Sequence, residues 1–368
     1  MVRTKQPLPV CSHATVLDDP MLEKRITLKD VARAAGVATG TVSMVLNDSP
    51  LVAATTRERV QTVIRDLGYV YDRTAGNLRG KHSRIVGVSI CNLINPYFAD
   101  VTAGIQEALE DLGRVLVLGN CAESVPRQLK FLETLRQYRV EGVLLTPAIA
   151  TPKSHVEKLL ERNVPLVQVT RYVAGVASDY VGSDNQLGAM LATRHLIELG
   201  HKRIAYLGHN PLISTGRDHY DGFRTTMDKA GLGVLENWVV ECPATREDGF
   251  HRTVELFRGR ESPTAVLCFN DSIAFGAMLG LRSINLEPGS DCSVVGMDDV
   301  AEAALFQPGL TTVSIKRDSI GQSAGKLLMA RLEEPNRPFE RVIIRPELIV
   351  RSSTGPAHAF SNKVTHVR

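Results

Sequence analysis

Polar side chains that can hold a small molecule follow one short apolar run after another between residues 84 and 354. They are Asn95 and Tyr97, which the apolar ring of Phe98 follows, then Thr170 with Arg171, Arg217 with His219, Asn270 with Asp271, and Asp298 with Asp299. Amide, hydroxyl, carboxylate and guanidinium groups bind polar ligands through hydrogen bonds and ion pairs. A second interpretation is structural, because Asn and Asp after a strand commonly cap the next helix. The sequence leaves both interpretations open.

The apolar runs that precede these side chains predict the strands of two parallel sheets. These strands are Ile85–Ile90, Val115–Gly119, Gly142–Leu145 and Leu166–Val169, then Arg203–Leu207, Trp238–Val240, Ala265–Phe269 and Ser293–Gly296. Helical segments alternate with them, which is typical of doubly wound α/β domains. We expect two lobes, about 84–183 with 315–342 and about 184–314 with 343–354, and a tail over 355–368. Ligands bind beyond the carboxyl ends of such strands, so the polar side chains would face a cleft.

Residues 26–71 predict a small all-α domain. Its first helix has one apolar face, formed by Leu28, Val31, Ala32 and Ala35 at helical spacing. Thr27 and Asp30 precede that face as a capping box, and Gly36 permits a tight turn. A second short helix follows over about Thr39 to Leu46. Two helices joined by such a turn form the helix-turn-helix motif, whose second helix enters the DNA major groove. The alternative is an ordinary helical hairpin.

A third amphipathic helix completes this domain, with Thr55 and Glu58 as a second capping box and Gly68 at its end. Residues 22–83 carry ten Lys and Arg against six Asp and Glu, in a chain whose net charge is +3. A local basic excess suits a DNA backbone, although many solvated surfaces are similar.

Several classes of protein are disfavoured by the rest of the sequence. The six cysteines lack C-x-x-C spacing and stand mostly in apolar runs, so we expect buried free thiols in a reducing compartment. No apolar run has membrane-spanning length. Residues 1–25 lack the apolar core of a signal peptide, and we expect a disordered extension and a cytoplasmic protein. The absence of nucleotide-binding, hydrolase and metal-ligand motifs predicts a non-enzyme without metal or cofactor.

The order of these features resembles the lactose-repressor/galactose-repressor (LacI/GalR) family of bacterial transcription regulators. The resemblance is carried by T-L-K-D-V-A-R-A-A-G-V (27–37), T-V-S-M-V-L-N (41–47), D-L-G-Y (66–69), and N-L-R-G (77–80) before I-V-G-V (85–88), and it extends over about residues 26–354. It implies a ligand-responsive regulator, most simply a repressor, that reads a near-palindromic operator as a dimer. A solute-binding protein of a transport system, the alternative, would carry a signal peptide in place of the helix-turn-helix motif.

By this resemblance, the residues that contact DNA are Thr27, Thr39, Gly40, Thr41, Ser43, Met44, Asn47, Tyr69, Asn77 and Leu78. Family members usually present larger polar side chains at the first two base-reading positions and an arginine further along. Here those positions hold Thr39, Gly40 and Met44. Glycine cannot reach a base edge, and methionine cannot make the bidentate hydrogen bonds of an arginine. We therefore expect less direct readout than usual and more dependence on DNA deformability.

The segment 72–83 is polar and basic, and alone it predicts a linker. In the family it becomes a short hinge helix on DNA binding, and a leucine from each subunit inserts into the minor groove. Leu78 matches that leucine. Gly76 would cost such a helix about 1 kcal/mol, so we expect the hinge to fold only with operator and partner subunit present.

The family's effector site lies in a domain with the fold of periplasmic sugar-binding proteins. By resemblance it is formed here by Tyr97, Phe98, Thr170, Arg217, His219, Trp238, Asn270, Asp298 and Arg317. Thr170 stands where sugar-responsive members commonly carry Asp. His219 replaces a frequent Arg, although Arg217 is close by, and Arg317 stands where a neutral or aromatic residue is common. These changes favour a carboxylate-bearing effector, such as a sugar acid, over a neutral sugar. The tail lacks the leucine heptads of a coiled coil, which favours a dimer over a tetramer.

Overall fold

The structure, a computed structural model, describes residues 26–46, 48–71, 83–259 and 261–357. The chain divides into two units after residue 81, and each has its own apolar core. The first unit contains three helices: α1 (Leu28–Ala35), α2 (Thr39–Leu46) and α3 (Ala54–Asp66). Val31, Val42, Val45 and Val60 form the centre of its core.

The ends of these helices test the two predicted capping boxes. The one at Thr27 is confirmed, because the Asp30 amide donates to the Thr27 hydroxyl and the Thr27 amide donates to the Asp30 carboxylate at 3.0 Å. Gly36 ends α1 in the left-handed region, with φ of 63°. The box predicted at Thr55 is wrong: Ala53 is the N-cap of α3 and makes no side-chain hydrogen bond. Thr55 lies inside the helix, where its hydroxyl cannot cap the first turn.

The second unit contains two six-stranded sheets, each the centre of one lobe. The first lobe has β1 (Ile85–Ile90), α4 (Pro96–Glu110), β2 (Val115–Asn120), α5 (Val125–Gln137), β3 (Gly142–Leu145), α6 (Lys153–Glu161), β4 (Leu166–Val169) and β5 (Asp179–Ser183). The second has α7 (Asn185–Glu198), β6 (Ile204–His209), α8 (Ser214–Lys229), β7 (Val239–Glu241), α9 (Arg246–Phe257), β8 (Ala265–Cys268), α10 (Asp271–Ser283), β9 (Ser293–Asp298), α11 (Glu302–Leu305) and β10 (Thr311–Ser314). Strands β5 and β10 were not expected from the sequence.

The chain then returns to each lobe in turn through α12 (Arg317–Glu333), β11 (Arg341–Ile344) and β12 (Glu347–Ile349). The strand orders are β11-β5-β4-β3-β1-β2 and β12-β10-β9-β8-β6-β7. Every pairing is parallel except that of β12 with β10. The first sheet therefore keeps the chain to Ile344, two residues beyond the boundary predicted for the first lobe. Three crossovers join the lobes, near residues 184, 315 and 345.

Helices cover both faces of each sheet. The α4–α12 and α7–α8 pairs pack against one continuous core shared by the two lobes. The backbones of paired helices touch: a Cβ on Gly104 of α4 would lie 2.5 Å from the carbonyl oxygen of Asp318 in α12. Gly222 in α8 approaches the backbone of α7 in the same way, and Gly276 in α10 that of α9. In each pair, the two helices therefore pack with their backbones in direct contact at the glycine.

The start of β1, where the chain enters the first lobe, is tied down by a buried carboxylate. The amide of Arg84 donates to Glu141 Oε1 at 3.1 Å, and Arg114 Nε donates to Glu141 Oε2 at 3.0 Å. The Glu141 side chain is 3% exposed. Because the ion pair is shielded from solvent, it holds the first residues of the strand more firmly than a surface pair would.

Candidate DNA-binding surface and interlobe cavity

Helix α2 presents the predicted base-reading residues to solvent. Thr39, Gly40 and Met44 are exposed, while Val42 and Val45 face the core of the first unit. A Cβ added at Gly40 would meet no atom within 4 Å, so glycine is not required there by packing. The outer face of α2 is therefore a small, nearly apolar surface with one hydroxyl at its start.

The other predicted DNA contacts have mixed surroundings. Thr41 and Ser43 are half-buried, and Tyr69 is a half-buried residue packed against the core. The Thr27 hydroxyl is engaged with Asp30 at 2.6 Å, which gives it a structural task. Asn47, Asn77 and Leu78 lie outside the described residues.

A cavity lies between the two lobes of the second unit, beyond the carboxyl ends of both sets of strands. Six of the nine residues predicted for the effector site line it: Tyr97, Phe98, Thr170, His219, Asn270 and Asp298. The capping interpretation of Asn270 is confirmed, because its Oδ1 accepts the Ile273 amide at 3.0 Å at the start of α10. The residue also lines the cavity.

Three predicted residues do not line this interlobe cavity. Trp238 is 3% exposed and packs inside the core of the second lobe. It is the last residue of a short 3-10 helix, and its side chain points inward from there. The Arg217 guanidinium turns outward and donates from Nη1 to the carbonyl of Pro211 at 3.0 Å. Arg317 pairs through Nε with Asp100 at 3.1 Å.

Asp298 is the most unusual group in the cavity. It ends β9 with φ of 121° and is 9% exposed. Burial raises the pKa of its carboxyl well above the usual range, and Asp271 adds to that rise, while Arg317 and a hydrogen bond from Asn95 oppose it. Asn95 belongs to the first lobe and Asp298 to the second, so this interaction lies across the cavity.

His219 supplies an acceptor that no other described residue uses. Its Nε2 lies 3.2 Å from Asn185 Oδ1, and because that amide oxygen only accepts, Nε2 carries the proton. Burial lowers the pKa of His219 to about 3, so the ring is neutral at physiological pH. Within the described part of the chain, the buried Nδ1 has no hydrogen-bond partner, and neither does the hydroxyl of Thr215, one helical turn earlier in α8.

An ion pair forms the opposite wall of the cavity. Arg171 Nη1 donates to Glu123 Oε1 at 2.9 Å and to Oε2 at 3.1 Å, and the Ile149 amide donates to the same carboxylate at 3.0 Å. Sequence reasoning missed the role of Glu123. It lies three residues beyond β2, so the strand-end rule that found Thr170 could also have found it.

Tyr172 contacts the second lobe beside the cavity. Its amide donates to the Ser214 hydroxyl at 3.0 Å, and its hydroxyl lies 3.5 Å from Asp218 Oδ1. Both partners belong to α8, the helix that carries Thr215 and His219. The Arg341 guanidinium lies over the Tyr172 ring at 4.6 Å. The position of α8 relative to the first lobe therefore depends on Tyr172, which sequence reasoning did not single out.

Two further kinds of site, a metal-ligand cluster and a membrane-spanning helix, are both absent from the described ranges. No group of three or more His, Cys, Asp or Glu side chains there is placed to hold a metal ion. No helix in those ranges is long and apolar enough to cross a bilayer.

Comparison with known families divides the chain where the structure does. Residues 27–72 match the profile described as "Bacterial regulatory proteins, lacI family". Residues 84–351 match "Periplasmic binding proteins and sugar binding domain of LacI family".

Similar proteins extend over almost the whole chain. The HTH-type transcriptional repressor PurR of Erwinia tasmaniensis is 32% identical over 89% of this chain and 96% of its own length. A Lac repressor dimer bound to operator and the anti-inducer ONPF superposes with a TM-score of 0.81 and 26% identity, covering 90% of this chain and all of that one. A complex of the transcriptional regulator CelR with cellobiose gives a TM-score of 0.68 and 29% identity, covering 89% and all.

Proposed function

Because the chain belongs to the LacI family of ligand-responsive transcription repressors, we propose that it binds a near-palindromic operator as a homodimer and releases or engages it according to a small neutral metabolite in the interlobe cavity. Two recognition helices on one dimer would read two half-sites. Closure of the lobes on the effector would shift the start of β1 and so alter the hinge. Since its target is chromosomal DNA, the protein would act in the cytoplasm.

The pairing of charges in the cavity supports a neutral effector. Arg171 is the one Lys or Arg, among the described residues, that lines the cavity, and Glu123 already neutralises it. The Arg217 guanidinium is engaged elsewhere. Arg317 pairs through Nε with Asp100, while its buried Nη1 has no hydrogen-bond partner among the described residues. The sequence favours a carboxylate-bearing effector through the acceptor lost at Thr170 and through Arg217 and Arg317, and the ion pair of Arg317 with Asp100 and the outward direction of Arg217 weaken that preference. A buried anion without a cationic partner would be strongly disfavoured.

The unused acceptor on His219 carries the proposal. A buried acceptor left without a donor costs about 1–3 kcal/mol, and a ligand hydroxyl or N–H would remove that cost at Nδ1. Asp298 offers a second acceptor when it is ionised. The cavity therefore suits a ligand with several hydrogen-bond donors, such as a sugar or another polyhydroxylated compound.

Thermal-shift measurements on the full chain test this proposal directly. Neutral sugars would be compared with the matching sugar acids, for example galactose with galacturonate and glucose with glucuronate. At about 100 times Kd, a ligand stabilises the fold by roughly 2.7 kcal/mol. We expect stabilisation by at least one neutral compound and none by its acid. Stabilisation by acids alone would contradict the neutral assignment.

An exposed sheet edge supports the homodimer. Strand β2 is the last strand of its sheet, and its apolar residues Val115, Val117 and Leu118 are 54%, 39% and 37% exposed. A long apolar edge without a cover invites association. A second copy can cover it symmetrically, because a twofold axis brings the same surface together.

We expect Val117→Lys to weaken dimer formation by about tenfold or more, because a twofold interface would bring two buried ammonium groups together. Sedimentation equilibrium on the full chain measures the effect. Val350→Lys is the matched control, since Val350 is 58% exposed on the second lobe and away from β2. A Val117→Lys protein that dimerises as tightly as this control would place the interface elsewhere.

The outer face of α2 predicts an operator whose half-sites are only loosely specified. Selection of binding sites from a random oligonucleotide pool should show outer bases less constrained than the central step. Met44→Arg is the informative variant, because a bidentate arginine contributes about 1–3 kcal/mol of preference for guanine. It should sharpen the outer half-site. Outer bases as constrained as the centre in the unmodified protein would mean that α2 lies in the groove at another angle.

A further inference from the structure

Two cysteines extend the pairing of neighbouring strands in the first lobe. Strands β1 and β2 pair in parallel with Ile90 opposite Asn120, and the Cys121 amide donates to the carbonyl of Ile90 at 3.0 Å. Cys91 and Cys121 are the next residues along. Neighbouring strands lie about 4.8 Å apart, and disulfides join residues whose Cα atoms are about 4.4–6.8 Å apart. The two side chains are therefore spaced for a disulfide, although both are free thiols.

The two thiols differ in character. Cys91 is completely buried, and its sulfur lies 3.3 Å from the carbonyl oxygens of both Thr146 and Pro147. Burial raises the pKa of Cys91, and so does its hydrogen bond to Cys121. The same hydrogen bond lowers the pKa of Cys121. Since the thiolate is the reactive form of cysteine, Cys121 is the nucleophile of the pair and Cys91 its resolving partner.

Cys121 is also the more accessible of the two. It is 2% exposed, but the residues on either side of it, Asn120 and Ala122, are exposed. The turn at Ala122 lies beyond the end of β2 and is exposed, so a small movement of that turn would uncover Cys121. A molecule as small as hydrogen peroxide needs no larger path.

The pair is connected to the wall of the interlobe cavity. Arg171 Nη1 lies 3.5 Å from Cys91 Sγ while it holds Glu123. The Glu123 amide donates to the Cys91 carbonyl at 3.1 Å. Ala122 and Glu123 both have left-handed backbone, with φ of 46° and 56°. The turn that places Glu123 at the cavity therefore begins at Cys121, and its backbone is hydrogen-bonded to Cys91.

We propose that Cys91 and Cys121 form a peroxide-sensitive thiol pair that modulates the interlobe cavity. The Cys121 thiolate attacks one oxygen of a hydroperoxide, the O–O bond breaks, and Cys121 becomes a sulfenic acid as water or an alcohol leaves. Cys91 then attacks the sulfenic sulfur, and the disulfide forms with loss of water. One hydroperoxide is reduced and two thiols are oxidised. A dithiol reductant reverses the change by thiol–disulfide exchange.

The disulfide would change the cavity through its effect on two contacts. Cys91 would lose its single S–H, and the turn that begins at Cys121 would be pulled toward β1. Glu123 and its partner Arg171 would then shift at the cavity wall. The consequence for DNA binding rests on the proposed function, whereas the oxidation chemistry does not.

The chemistry is tested by treating the full chain with hydrogen peroxide and mapping its peptides without reduction. We expect a cross-linked peptide that joins Cys91 to Cys121, with the loss of two hydrogen atoms. Cys91→Ser should stop at the sulfenic acid, which dimedone captures at Cys121. Cys121→Ser and Cys121→Ala should form no such link. Cys242→Ser, which removes a half-buried thiol of the second lobe, is the matched control and should oxidise like the unmodified protein.

The outcomes separate the two parts of the proposal. If Cys121 stays reduced, or forms no link to Cys91 while the fold is intact by circular dichroism, the thiol pair is refuted. DNA binding is then compared between oxidised and re-reduced protein, using an oligonucleotide selected from the random pool. A change of about fivefold or more that dithiothreitol reverses supports regulation. If the oxidised and the re-reduced protein bind DNA with equal affinity, regulation of DNA binding is refuted, while the formation of the disulfide stands. A reduced protein that selects no sequence from the pool would instead refute the proposed function.

Discussion

Asp298→Asn is expected to weaken effector binding by about tenfold to a hundredfold, because it replaces one acceptor oxygen in a buried site with an N–H donor and leaves a ligand donor poorly paired. The same substitution should make the free protein more stable. A carboxyl that is 9% exposed and close to Asp271 is costly to ionise, and an amide of the same shape carries no such cost.

The direction of the stability effect depends on pH. The pKa of Asp298 in the folded state is raised by burial above its ordinary value of 3.8. A raised pKa favours the folded state at low pH, and this contribution is lost as pH rises through the folded pKa. The advantage of Asp298→Asn should therefore be largest at pH 7–8 and should shrink as the pH falls toward that ordinary value.

Calorimetry with the ligand found by thermal shift, together with melting curves at several pH values, measures both effects. For a domain of this size, 1 kcal/mol corresponds to roughly 2–4 °C in Tm. Asp299→Asn is the matched control, because Asp299 is the neighbouring carboxylate but pairs with Arg351 at 2.7 Å. It should leave ligand affinity unchanged and lower Tm. Normal ligand binding by Asp298→Asn would mean that the effector lies elsewhere.

Leu78→Ala is expected to weaken operator binding by a few kcal/mol, because an inserted side chain kinks the duplex and lets more of the protein contact it. Leu78 lies outside the described residues, so this prediction rests on the family resemblance of N-L-R-G at 77–80. The fold and the effector affinity should be unaffected. Gel-shift titration against the selected operator and against a duplex of unrelated sequence measures the loss, which should be confined to the operator.

Gly76→Ala gives the complementary result. Alanine favours a helix over glycine by about 1 kcal/mol, so a hinge helix that forms on DNA would bind the operator more tightly by about fivefold. If both substitutions leave operator affinity unchanged, the segment 72–83 is a linker without contact to the bases.

Sequence patterns gave correct predictions where one or two neighbouring residues determine the local structure. Thr27 with Asp30 marked the start of α1, and the strand-end pattern pointed to two residues that line the interlobe cavity, Asp298 and His219. The rules failed where tertiary contacts decide. Strands β5 and β10 contain few large apolar residues, and only their neighbours in the sheet make them strands. The box at Thr55 failed because α3 begins earlier than that pattern suggests.

Side-chain direction was the second limit. Trp238, Arg217 and Arg317 stand at plausible positions along the chain, yet their side chains point into a core, toward solvent and to Asp100. Conversely, Tyr172 was missed because its main contribution is a backbone amide that reaches Ser214. No pattern of residue types reveals such a contact.

The close backbone contacts at glycines between paired helices make each lobe a rigid body. Where backbones touch, as Gly104 does against Asp318, helices cannot slide past one another without separating. If the lobe rotates slightly at the cavity, it then moves as a rigid body, and the residues at its far end move with it. Strand β1 spans roughly 20 Å at about 3.3 Å per residue, so a turn of about 6° moves its first residue by roughly 2 Å. That first residue adjoins Arg84, whose amide Glu141 holds, and the linker toward DNA begins there.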